Sequence, residues 1–143
     1  MCILSLMIEA LGVFMWWLHL SSIAALIGGM LYASAVLAPA AGALDAETRA
    51  VLGERAAAGF RRIALAAMAG LVLSGVYNFL GNVGHSTHYK IVLGIKLLLV
   101  AHIFAAALTG SRPHHPRRTR VLAGGAVSGL VAIAISTYLR HIF

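Results

Sequence analysis

The stretch LGVFMWWLHLSSIAALIGGMLYASAVL, from Leu11 to Leu37, decides the fold. It holds one imidazole, His19, and no Asp, Glu, Lys or Arg. A helix rises about 1.5 Å per residue, so about 20 apolar residues cross about 30 Å of hydrocarbon. Three further runs of this kind follow, at 63–80, 91–109 and 121–139. They are too long and too continuous for barrel strands, which alternate over about 9–11 residues. A helix satisfies its own backbone polar groups in lipid. The runs therefore predict an all-α, single-domain chain: a four-helix transmembrane bundle running up-down-up-down. Residues 38–62 form the first loop, expected to be partly helical. Asp45 is placed to cap a helix beginning at Ala46, with Glu47 in its first turn.

Composition agrees with that reading. The 143 residues are 61% hydrophobic and 10% charged, with a mean hydropathy of +0.92. Soluble domains are about 45–50% apolar and about 25% charged, so a soluble enzyme is excluded. The net charge of +7 arises from 11 Lys+Arg against 4 Asp+Glu. In a soluble chain such a balance would point to nucleic acid. Here its distribution is a topology signal. The first loop carries Arg49, Arg55, Arg61 and Arg62, and the third carries Arg112, Arg117, Arg118 and Arg120. The opposite side has Lys90 and Arg140. Positively charged loops stay in the cytoplasm, which places both termini outside. Membrane lipid, not nucleic acid, is then the partner these arginines meet. Trp16, Trp17, Tyr77, Tyr89 and Tyr138 lie near span ends, where an aromatic belt forms. The N-terminus lacks the basic segment of a cleaved signal. Arg-Pro-His-His-Pro, from Arg112 to Pro116, breaks the chain between the third and fourth spans.

An ionisable side chain in hydrocarbon is costly, so each is a functional candidate. His19, Lys96 and His102 qualify. His19 lies about 12 Å and His102 about 16 Å below the outer ends of their spans. The first and third spans run the same way and sit diagonally in a four-helix bundle, about 11–14 Å apart. Two inward imidazoles at compatible depth would grip a haem b from both faces. The bland alternative for a buried His is a hydrogen bond to Ser or Tyr. Stripes at helical spacing flank the pair: Ser22, Leu26 and Gly29; Ala67, Gly70, Ser74 and Asn78; Gly125, Ser128, Ala132 and Ser136. Small residues allow close helix approach, or make room for a flat macrocycle. The glycine faces of the second and fourth spans are also where a homodimer would form. Lys96 either snorkels to headgroups or, like Arg140, meets a haem propionate, a quinone or another anionic group. On the outer side, His85, His88 and His141 suit copper or a second haem, unless His85 and His88 belong to a solvated loop. Cys2 is the only cysteine, which excludes an internal disulfide. Walker, dinucleotide-binding and nucleophile-elbow motifs are missing from the sequence. HLSSIAALIGG from His19 and HIFAAALTG from His102 suggest a duplicated hairpin.

WLHLSSIAALIGGMLYASAVLAPA at 17–40 resembles the first helix of the copper-resistance D superfamily. That group includes a membrane-embedded, haem-containing protoporphyrinogen oxidase of bacteria. FRRIALAAMAGLVLSGVY at 60–77 resembles its second helix, and STHYKIVLGIKLLLV at 86–100 its third. The resemblance covers about three-quarters of the chain. It implies a four-helix unit in a bacterial cytoplasmic membrane. It also implies that His19 matches the family's haem-ligating His, Lys96 its helix-three Lys and Arg62 its helix-two Arg. His102 has no counterpart in the oxidase pattern, which turns the reading towards a b-type cytochrome. The expected function is thus electron transfer through haem b, one haem or two, with quinol as partner. Copper transport and protoporphyrinogen oxidation, a quinone-linked oxidoreductase activity, are the alternatives.

Overall fold

A computed structural model describes the backbone of residues 2–80, 87–112 and 117–142, and the side chains of 3–80, 91–112 and 117–138. All regular structure among the described residues is helical. Helix α1 (Cys2–Tyr32) passes through a π-helical turn (Ala33–Leu37) into the short α2 (Ala38–Gly42). Then come α3 (Ala46–Leu80), α4 (Thr87–Gly110) and α5 (Arg118–Ile142). Four helical segments are long and apolar enough to cross a membrane: Ile3–Gly42, Ala46–Leu80, Ile91–Gly110 and Arg118–Tyr138. The chain is therefore a four-helix protein of integral membrane character.

Two spans are longer than the apolar runs alone predict, because the first loop is almost entirely helix. Its Ala-rich stretch has high helix propensity. Asp45 caps it: the Thr48 N–H donates to Asp45 Oδ1 at 2.9 Å, and α3 starts at Ala46. Before it, Pro39 lacks an N–H and its ring crowds the carbonyl one turn back. The helix widens there instead of breaking. The Ala38 N–H reaches back to the Ala33 carbonyl, the i→i−5 bond of a π turn. Within that turn, the Ser34 hydroxyl donates to the Met30 carbonyl at 2.8 Å. Arg49 folds over the end of α2 and donates to the carbonyls of Ala41, Gly42 and Leu44 at 3.1, 3.3 and 2.7 Å. A cation there offsets the negative end of the helix dipole.

Helix α1 packs against α3 and α5; α4 packs against α5 and, more thinly, against α3. Lipid offers no hydrophobic drive for this association, so close contact does the work. Gly70 of α3 lies against Leu18 and Ser22 of α1. Gly125 of α5 lies against Ala106 and Met30, and Gly129 against Ile27. Contacts run in opposed register: Gly12 faces Tyr77, whereas Gly29 faces Phe60. Leu26, Met30, Phe60, Met68, Leu122 and Ala126 form the centre of the core. Of the glycines on the faces expected to meet a second copy, Gly70, Gly125 and Gly129 make close contacts within the chain, whereas Gly75 and Gly124 do not. At one end, Arg118 donates to the carbonyls of Gly110 at 2.9 Å and Gly53 at 3.1 Å, tying α5 to α4 and α3.

Candidate intramembrane site

The sparse packing between α3 and α4 leaves a cavity of about 490 Å³. That is within the range of about 300–1,000 Å³ typical of cofactor sites. Its walls come from all four long helices. They are mostly apolar, with Leu26, Leu71, Phe104 and Ala132 among them. Four polar side chains interrupt them: His19, Asn78, Lys96 and Ser136. The cavity occupies the half of the bundle built from the later turns of α3 and the earlier turns of α4. Val72, Val76, Phe79 and Leu97 line it and are also well exposed, so its mouth opens sideways through an apolar rim. Gly75 forms part of the wall, and a Cβ there would meet no heavy atom within 4 Å.

His19 is held from behind. Its Nδ1 lies 2.8 Å from the Oγ of Ser74 on α3. Ser74 is fully buried, and its Oγ lies 2.6 Å from the Gly70 carbonyl. The close seat of Gly70 on α1 brings these groups together. Lys96 is half-buried and lines the α4 wall of the same cavity.

Of the three ionisable groups expected inside the bundle, the fold brings two to one cavity. His102 is on another face. The buried side of α4 is marked by Ile103, Ala106, Ala107 and Gly110. Lys96 lies seven residues before Ile103, close to that face. His102 precedes Ile103 by one residue, a rotation of about 100°. It is exposed and does not line the cavity. The expected grip of one macrocycle by His19 and His102 is therefore not built by this packing. Arg62 is exposed on α3 and also lies away from the cavity lining. His85, His88, Lys90, Arg140 and His141 fall outside the described side chains. Among the described residues, no three His, Cys, Asp or Glu side chains gather as a metal site would require.

Gly75 was not named in the sequence reading, and Ser74 was named there only as a small residue of the second span. Its pairing with His19 depends on the rotation of α1 against α3, which spacing along one helix does not contain. The chain matches no known family model, no curated protein and no solved structure.

Proposed function

We propose that this protein is a b-type haem protein of a bacterial cytoplasmic membrane, exchanging electrons with quinol in the surrounding lipid. In this reading the helices run up-down-up-down, with both termini periplasmic. His19 would be the residue that ligates the haem iron, and Lys96 would pair with a carboxylate of the haem. The observation that carries the proposal is the position of His19: a buttressed imidazole on the wall of a largely apolar cavity, with a cation nearby. Neutral imidazole is a common haem ligand. The space beside Gly75 suits a flat ring, and the apolar walls suit its faces. A bound haem would supply one-electron chemistry; the chain supplies the ligand, burial and hydrogen bonding that tune it. His19 would hold the group through its imidazole. Lys96 anchors charge at the cavity wall, and the apolar rim limits water.

The test is an optical and pyridine haemochrome spectrum of the purified protein with metal quantitation. The expected result is a Soret band that His19→Ala abolishes. Gly75→Leu should weaken or remove it while leaving the fold intact, because its side chain grows into open space. A wild-type preparation made with haem supplied, lacking the band, would overturn the proposal.

A further inference from the structure

We infer that Ser74 is a positioning residue that fixes the tautomer of His19, so that Nε2 presents a lone pair to the cavity. The inference rests on the cavity as the binding site proposed above, but its argument is independent of haem. A serine hydroxyl has one proton. The Ser74 Oγ lies 2.6 Å from the Gly70 carbonyl and 2.8 Å from His19 Nδ1. A carbonyl oxygen has no proton to give, so the short contact to Gly70 requires the serine hydroxyl to donate there. Its oxygen must then accept from His19, which places the imidazole proton on Nδ1. A neutral imidazole has one donor and one acceptor nitrogen. The acceptor is Nε2, on a residue that lines the cavity.

The consequence is a ligand class. A complementary molecule presents a Lewis acid or a hydroxyl donor to His19 and an anionic or carbonyl oxygen to Lys96. A haem with a carboxylate arm meets both demands. The same tautomer disfavours a ligand that offers His19 only an acceptor. Ser74 need not touch the ligand; it acts through the ring, as hydrogen-bonded partners of metal-bound His residues do.

The experiment is nitrogen NMR of ¹⁵N-histidine-labelled full-length protein in lipid nanodiscs without added haem. The His19 signals are identified by their loss in His19→Gln. The expected wild-type spectrum shows a protonated Nδ1 and an unprotonated Nε2. Ser74→Ala should shift the balance towards the Nε2–H form, and Ser74→Thr should restore the wild-type pattern. A wild-type Nε2–H tautomer would overturn the assignment. So would a pattern unchanged in Ser74→Ala. Should Ser74→Ala fail to fold, the wild-type and Ser74→Thr spectra still decide the tautomer. Because no haem is added, this result stands apart from the Soret test: either reading can fail alone.

Discussion

Ser74 shows how one hydroxyl can organise an intramembrane group. In lipid, side-chain hydrogen bonds between helices contribute about 0.6 kcal/mol on average, so the His19–Ser74 bond matters less for stability than for orientation. At the other end of α3, Asp45 makes a different use of a single side chain. It is exposed, and hydrogen bonds from the Thr48 backbone N–H and the Thr48 side chain hold its carboxyl below the usual carboxylate range. A folded-state value below the unfolded one means that the cap contributes fully above the unfolded value. The part that depends on the charge disappears as pH falls through the folded value. Asp45→Ala should therefore reduce amide protection at Glu47, Thr48 and Arg49 near neutral pH, while Asp45→Asn keeps most of it. At pH below the carboxylate range, wild type should fall to about the protection of Asp45→Asn. Hydrogen-exchange protection factors measured at both pH values check this; equal protection in wild type and Asp45→Ala near neutrality would contradict it.

At the scale of helices, the glycines carry the packing, and they do so position by position. A Cβ at Gly125 would stand 2.7 Å from the Ala106 Cβ and 2.9 Å from the Met30 Sδ. At the adjacent Gly124 it would meet nothing within 4 Å. Overpacking a tight interface costs about 1–3 kcal/mol. Gly125→Val should lower the thermal midpoint in detergent by several degrees, whereas Gly124→Val should leave it close to wild type. Equal midpoints for the two variants would show that α5 does not sit against α1 and α4 as described. The contrast also explains what was legible in the sequence. Four spans and the cap at Asp45 could be read, because length, apolarity and capping chemistry are local. The face of His102 could not. Lipid-facing and core-facing side chains on α4 are both apolar, so no amphipathic stripe marks the inside. Leu98 is outward and Ile103 inward, though their residue types give no reason for it. Small residues were the better signal: Gly70 and Gly125 were both expected at close contacts and make them. Even so, neighbouring Gly124 faces open space, and only the packed helices distinguish the two.

For the whole molecule, the remaining question is which way the bundle stands in the membrane. Arg118 brings α3, α4 and α5 together at the end that carries Arg112, Arg117 and Arg120, with Arg49 and Arg55 on the same extension of α3. Arg118 thus ties the α4 end, the α5 start and the early part of α3 together at one end of the bundle. Moving so many cations across a bilayer is unfavourable, and the asymmetry sets orientation. In the proposed orientation the cavity would lie in the outer half of the membrane, and the start of α1 would project outward. Cys2, the only cysteine, provides a direct reporter of that arrangement. In spheroplasts, a membrane-impermeant maleimide should label Cys2 without detergent, and Cys2→Ser should abolish the labelling. A cysteine introduced at exposed Arg55 in the Cys2→Ser background should react only after permeabilisation. The reverse pattern would turn the bundle over and move the His19 cavity to the cytoplasmic half. Moving Arg55 and Arg49 to the opposite loop should then weaken the labelling bias at Cys2, since the orientation is held by the difference in charge between the two sides and not by any one arginine.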